Sequence, residues 1–184
     1  MKYQYPSWEE ITKIRETFRE AYWAYWINDN LFSFGWWLLL VLHILFIYLA
    51  SKLLDRTRLF ELLTVGGLAA IFSTLIDIIT IQYGLTGYPT SLSPLSPSLF
   101  VSSLIILPVI YMLLYQFFST WKSFILANLV VGAFLAFLGE NLFRWLNIYQ
   151  YIQWNSFYSL ITYLGIGIVL KWILSNLLKA QKKQ

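Results

Sequence analysis

Long apolar runs separated by short polar connections occupy the chain from residue 34 onwards. A helix of about 20 apolar residues crosses the roughly 30 Å hydrocarbon core of a bilayer. The pattern therefore predicts an all-α integral membrane protein in which residues 34–178 form a bundle of five transmembrane helices. The predicted spans are residues 34–53, 59–83, 98–118, 123–146 and 157–178.

The first 33 residues have a different pattern. Within residues 7–28, apolar side chains recur at spacings of three and four among charged ones, and Ser7 followed by Glu10 has the form of a capping box. We predict an amphipathic helix that lies on the membrane surface. After the last span, residues 179–184 are predicted to form a basic cytoplasmic tail.

An acidic residue, Asp77, lies inside the second apolar run. A charged side chain exposed to lipid costs roughly 2.5–3.5 kcal/mol on insertion scales, so such residues usually face protein or water. Steps of three and four residues from Asp77 define a small and polar helix face, which comprises Gly66, Ala70, Ser73, Asp77, Thr80 and Gly84. We therefore expect this face to look into the bundle.

A second acid, Glu140, lies in the fourth apolar run, also on a small and polar helix face. Because both acids lie at similar depth below the outer ends of their spans, we predict that they meet in an intramembrane pocket as candidate catalytic residues. Two like charges close together in a low dielectric favour one protonated acid. Two alternatives stay open. Glu140 pairs with Arg144, or Asp77 only hydrogen-bonds Tyr or Asn side chains of neighbouring helices.

Aromatic and polar side chains near the acids are candidate ligand-binding residues. Tyr111 and Tyr115 share a helix face with Pro108, where a kink would line a cavity, although packing is the commoner role of such a pair. Side chains at the start of the fifth span, Tyr163 included, either close the pocket or anchor the helix at the interface. The predicted substrate-binding set is Tyr88, Tyr111, Tyr115, Asn141, Trp154, Tyr158 and Ser159.

The loop 84–98 contains three Pro and two Gly, a composition that opposes helix and favours turns. It is predicted either to form an ordered cap over the outer end of the bundle or to be a simple connection. Composition agrees with a membrane protein, because 59% of residues are apolar and only 12% are charged, against about 25% in soluble proteins.

The same composition limits the chemistry. The chain has no Cys, which excludes disulfides and thiolate catalysis, and a single His, so no metal site or cofactor is predicted. The net charge of +4 is small and concentrated at helix ends, which indicates contact with membrane lipids and no binding of nucleic acid.

Basic residues follow the first, third and fifth spans, whereas the loop 85–97 has none. By the positive-inside rule, the N-terminus is predicted outside and the C-terminus in the cytoplasm of a plasma-membrane protein. Four basic residues in the N-terminal segment count against this orientation; they are Lys2, Lys13, Arg15 and Arg19.

Several motifs between Trp36 and Lys171 resemble those of an uncharacterised family of small multi-pass membrane proteins from endospore-forming Firmicutes. The most specific piece is the run LPVIYMLLYQFFSTWKSF, residues 107–124. The other pieces are Asp77, Gly84, Tyr88-Pro89, Pro94, Gly139-Glu140, Tyr149, Trp154 and Tyr158-Ser159. Relatives place Pro after the glutamate, where this chain has Asn141. The resemblance implies a Gram-positive plasma or spore membrane and supplies no activity.

Three functions fit the sequence. In the first, Asp77 or Glu140 protonates a lipid-soluble, isoprenoid-like substrate while aromatic faces stabilise the developing cation. In the second, the protein is a binding or transport subunit for a small solute, with the Pro-rich loop as a lid. In the third, the acids only hold helices together in a structural or partner-binding membrane protein.

Overall fold

A computed structural model describes residues 5–95 and 102–181 of the chain. The described part is all-α except for one pair of two-residue strands. Its α-helices are α1 (Trp8–Tyr25), α2 (Phe34–Leu53), α3 (Leu59–Gln82), α4 (Leu107–Phe117), α5 (Trp121–Phe134), α6 (Glu140–Trp145) and α7 (Ser156–Gln181). The strands are β1 (Thr86–Gly87) and β2 (Gln150–Tyr151).

Four helices are long and apolar enough to cross a membrane. They are Phe34–Leu53, Arg56–Gln82, Trp121–Trp145 and Ser156–Gln181. The third of these is continuous because the π-helical segment Leu135–Gly139 joins α5 to α6. Four of the five predicted spans are therefore confirmed as apolar helices of membrane-spanning length, which is consistent with a membrane-embedded protein.

The remaining predicted span, residues 98–118, is described only from Ser102 onwards. Its apolar helix runs from Ser102 to Phe117, and residues 98–101 lie outside the described part. In the described part, this helix comprises a π-helical segment, Ser102–Ile106, followed directly by α4, whose second residue is Pro108. Proline has no amide hydrogen, so Pro108 donates no hydrogen bond to the π-helical segment that precedes it.

The predicted N-terminal helix is present as α1, and its capping box is confirmed. The Ser7 amide donates to Glu10 Oε2 at 2.6 Å, and the Glu10 amide donates to Ser7 Oγ at 3.2 Å. No α1 residue is buried in the fold. The helix ends in the π-helical segment Trp26–Asn30. Its predicted place on the membrane surface stays a prediction.

The helices pack through a continuous apolar core. Helix α3 packs on α4 and α7, and α5 packs on α7. The core includes Leu62, Val65, Ala69, Met112, Phe124, Ile166 and Leu170. Glycines bring helices close at two points, where Gly66 meets Met112 and Gly167 meets Asn128. Small residues at helix contacts are expected in a membrane, where close packing replaces the hydrophobic driving force.

The two loops at one end of the bundle form what we call the cap, residues 84–95 and 146–155. Strands β1 and β2 pair antiparallel, and the Leu85 carbonyl accepts from the amides of Ile152 and Gln153 at 2.9 and 3.0 Å. Helix α3 enters the cap through Gly84, whose φ of +64° suits glycine. The described part of the predicted cap is thus an ordered structure.

Hydrogen bonds join the end of the N-terminal segment and the start of α2 to the cap. Buried Asn30 donates to the Pro89 carbonyl at 3.1 Å and accepts from the Ser91 amide at 2.7 Å. The Trp26 indole donates to the Ser91 carbonyl at 3.0 Å, and the Trp36 indole donates to the Leu92 carbonyl at 3.2 Å. These bonds give hydrogen-bond partners to loop carbonyls that are not paired within a helix or strand.

Candidate functional site

A cavity lies beneath the cap, between α3, α6, α7 and the start of the helix that contains α4. The volume open to the centres of water molecules is about 140 Å³, well above the roughly 10–15 Å³ that one water needs. Asp77 and Glu140 both line this cavity. Its other polar and aromatic lining residues are Ser73, Thr80, Tyr88, Ser102, Ser103, Phe143, Tyr149, Trp154, Ser159, Thr162 and Tyr163.

The Asp77 carboxylate is held by two hydroxyl groups. Tyr88, which follows β1, donates through its hydroxyl to Asp77 Oδ1 at 2.7 Å. Ser103, in the π-helical segment before α4, donates to Asp77 Oδ2. Each oxygen of the acid therefore accepts one hydrogen bond, and the acid joins α3 to the cap and to the neighbouring helix.

The Glu140 carboxylate is held by three hydroxyl groups. Tyr163 donates to Oε1 at 2.5 Å, Ser159 donates to Oε2 at 2.7 Å, and Tyr151 of β2 also donates to Oε2. The Trp154 indole donates to Ser159 Oγ at 2.9 Å, which fixes that hydroxyl in turn. Glu140 comes directly after the π-helical segment Leu135–Gly139, where the wider turn changes the direction in which the following side chains point.

A row of three tyrosine rings connects the two acids. The Tyr149 ring lies 5.1 Å from that of Tyr88 and 5.4 Å from that of Tyr151, between centroids. Burial raises the pKa of Tyr88 well above its ordinary value, and burial together with the Glu140 hydrogen bond raises the pKa of Tyr151 to about 12. Both hydroxyls therefore keep their protons at neutral pH and serve as donors to the carboxylates.

Among the described residues, neither acid has a basic partner. In the described part of the chain, the ion pairs are Arg19 with Glu16 and Arg58 with Glu61. Arg144 does not pair with Glu140; it donates to Asn141 Oδ1 at 2.8 Å, and its guanidinium lies 4.3 Å from the Tyr151 ring centroid. The two carboxylates thus share a cavity whose neutral hydroxyl donors leave their charge uncompensated.

Three of the predicted substrate-binding residues line the cavity with the acids, namely Tyr88, Trp154 and Ser159. Two others lie deeper in the bundle and outside its lining. Tyr111 is buried in the core and donates to the Tyr163 carbonyl at 2.8 Å, which supports the backbone of a Glu140 donor. Tyr115, one turn further on, lines a separate pocket at the opposite end.

The last two members of that set lie outside the cavity lining, near its edge. Asn141 is exposed and donates to the Phe137 carbonyl at 2.7 Å. Tyr158 is exposed, and its ring lies 5.3 Å from that of Trp154. Both therefore border residues of the site without facing the acids.

Two residues that contact the acids were not among the sequence candidates, Ser103 and Tyr151. Ser103 stands among Ser, Leu and Ile residues in a run that reads as ordinary apolar helix. Tyr151 reaches Glu140 because β2 pairs with β1, a contact between residues far apart in the sequence. Neither residue belongs to a periodic pattern in the sequence. For Ser103, the signal that could find it is a serine in an apolar run that can face an acid on another helix.

Comparison with known proteins gives no match: no protein-family model, curated protein or solved structure matches the chain. The resemblance to a membrane family of endospore-forming Firmicutes therefore stays a prediction. The chemistry of the cavity is the basis for a functional proposal.

Proposed function

We propose that this chain is an integral membrane protein that binds a small organic cation, such as an amine or quaternary ammonium compound, between Asp77 and Glu140. The observation that carries the proposal is that both acids line one cavity and that, among the described residues, only hydroxyl groups donate to them. The protein would serve as the binding or transport subunit for such a solute.

Electrostatics supports a cationic ligand. Hydroxyl donors satisfy the lone pairs of an ionised carboxylate but leave its net charge in place. Two such charges in an apolar enclosure are costly unless each is protonated or a positive charge enters the cavity. A singly charged cation between Asp77 and Glu140 would offset one of the two negative charges and attract both carboxylates, without disturbing their donors.

The aromatic walls support the same ligand class. Tyr88, Tyr149, Trp154 and Tyr163 all line the cavity, and a cation over such rings gains about 0.5–2 kcal/mol for each well-placed contact. Carboxylates with aromatic rings around them are the combination that recognises ammonium groups, whereas a neutral solute gains little from the acids.

A second candidate is acid catalysis on a lipid-soluble, isoprenoid-like substrate. Apolar walls formed by Ile76, Leu107 and Leu135 favour it. Its acid would have to direct a proton into the cavity, and the hydroxyl donors on both oxygens of each carboxylate count against that.

The third candidate is a purely structural role for the acids. It is supported because each acid joins separate elements of the fold.

The test measures ligand binding to the full chain purified in a neutral detergent. Tetramethylammonium, a primary alkylamine and a neutral alkane of matched shape are titrated by calorimetry. We expect the cations to bind, and Asp77→Asn and Glu140→Gln to weaken binding about tenfold or more, since each removes one charged contact. Glu20→Gln, on the exposed side of α1, is the matched control and should bind as the parent chain does.

Other outcomes decide against the proposal. Equal binding of the neutral compound would show that the carboxylates do not select charge. Conversion of a prenyl alcohol by the parent chain, lost in Asp77→Asn, would favour the catalytic candidate. If no probe of either class binds while both acid variants unfold more readily, the structural role remains.

We also propose five crossings of the plasma membrane, with the cap outside and the C-terminus in the cytoplasm. The pairing of β1 with β2 supports the fifth crossing. The chain between these strands includes the long helix Trp121–Trp145, so it returns to the cap only if the helix Ser102–Phe117 also runs the depth of the bundle. At 1.5 Å per residue that helix is roughly 24 Å long.

A further inference from the structure

A second pocket lies at the opposite end of the bundle from the cap, which we call the basic end. Its volume open to the centres of water molecules is about 320 Å³. It lies between the start of α3, the end of α4 and the end of α7. The residues that matter to its chemistry are Arg58, Glu61, Tyr115, Ser119, Lys171 and Lys179.

Lys171 projects into this pocket from α7 and is only 4% exposed. Its Nζ donates to the carbonyls of Phe118 and Ser119, both at 2.8 Å, where α4 has ended. It also lies 4.5 Å from the Phe124 ring centroid and 5.4 Å from that of Tyr115. An ammonium group has three N–H donors, and these two carbonyls use two of them.

The charges of the pocket do not balance. Glu61 is bound by Arg58 through two contacts, Nε to Oε2 at 2.9 Å and Nη2 to Oε1 at 3.0 Å. No carboxylate of the described residues forms an ion pair with Lys171 or Lys179. Arg58 and Lys171 also lie near the same ring, that of Tyr115, at 5.8 and 5.4 Å. An anion in the pocket would relieve this concentration of positive charge.

We propose that the basic pocket binds a phosphate group. Phosphate oxygens are strong acceptors that suit several lysine and arginine donors at once. The pocket opens at the end of the bundle where the basic residues predict contact with anionic lipid, so a phospholipid headgroup and a soluble phosphate compound are its two possible sources. This site lies at the opposite end of the bundle from the cavity of Asp77 and Glu140, and its charge is positive where that of the cavity is negative.

The test titrates the full chain, purified in a neutral detergent, with three probes at constant ionic strength. These are a short-chain phosphatidylglycerol, a phosphatidylcholine of the same chain length and inorganic phosphate. Saturable binding of one phosphatidylglycerol per chain, with weaker binding of phosphatidylcholine, identifies a lipid headgroup site. Binding of inorganic phosphate at similar strength identifies a soluble phosphate source. Binding of none of the three overturns the proposal.

Variants locate the site. Lys179→Gln should weaken binding about fivefold, because a lysine near an anionic headgroup contributes roughly 1 kcal/mol. Lys52→Gln removes the same charge at the same end of the bundle but outside the pocket, and it should leave binding unchanged. Equal weakening in both variants would show diffuse surface attraction and overturn the proposal. Lys171→Met should abolish binding; because it also removes a helix cap, Lys179→Gln decides the case if Lys171→Met fails to fold.

Discussion

Three side-chain hydroxyls hold the Glu140 carboxylate in the cavity. Among the described residues, only Tyr163 donates to Oε1. Tyr163→Phe removes that hydroxyl and leaves the oxygen without its donor. Since a hydrogen bond to a charged group contributes about 1.5–3 kcal/mol, we expect the free energy of unfolding to fall by about that much. Denaturant titration of the purified protein measures the change.

The control for this prediction is Tyr158→Phe. Tyr158 lies on the same helix but is exposed, and its loss of a hydroxyl should change stability by less than about 0.5 kcal/mol. A double-mutant cycle with Glu140→Gln isolates the contact, because the cost of Tyr163→Phe should shrink in that background. An unchanged cost would mean that Tyr163 stabilises the fold without acting on the acid.

At this scale the sequence singles out the two acids that share the cavity, but only part of their surroundings. A carboxylate in an apolar run is conspicuous, so Asp77 and Glu140 are readily found, and both line the cavity. The sequence groups Tyr115 with them because it shares a helix face with Tyr111, but a shared face does not give the depth along the helix. The sequence does not indicate Tyr151, because its approach to Glu140 depends on the pairing of two distant loops.

At the scale of elements, the contact between α5 and α7 depends on Gly167, which has no side chain. A Cβ atom at Gly167 would overlap the amide of buried Asn128, at 2.7 Å from its Cγ. Gly167→Ala therefore forces either the Asn128 side chain or the helix to move. Overpacking of this kind costs about 1–3 kcal/mol, which should appear as a lower midpoint of thermal unfolding.

Gly165→Ala is the matched control, because no heavy atom of the described residues lies within 4 Å of a Cβ built there. Alanine has a higher helix propensity than glycine by roughly 1 kcal/mol, so this change should be neutral or slightly stabilising. If both substitutions lower the midpoint alike, helix flexibility and not the Asn128 contact would explain the need for glycine.

The apolar runs predict where four long helices lie, but not the irregularities within and between them. The π-helical segment Leu135–Gly139 and its counterpart Ser102–Ile106 both precede residues of the cavity wall, and neither interrupts the apolar pattern. Strands β1 and β2 are only two residues each, too short for an alternating pattern to show. The elements that shape the site are therefore the ones that sequence periodicity describes least.

For the whole molecule, the position of the cap decides on which side of the membrane the cavity of Asp77 and Glu140 lies. The chain has no cysteine, so single cysteines can report the side without background. Leu95, the last residue of the first cap loop and 84% exposed, and Ala180, exposed at the end of α7, are suitable positions. Leu95→Cys should react with a membrane-impermeant maleimide in intact cells, and Ala180→Cys only after permeabilisation.

The same pair of variants counts the crossings. Three predicted spans separate Leu95 from Ala180, so the two cysteines should label from opposite sides of the membrane. If the helix Ser102–Phe117 does not cross, two crossings remain between them, and both should label from one side. Opposite sides with Ala180→Cys outside would keep five crossings but reverse the orientation. Under the proposed cation binding, the cavity would then take its cation from the cytoplasm, and the basic pocket would meet the outer leaflet.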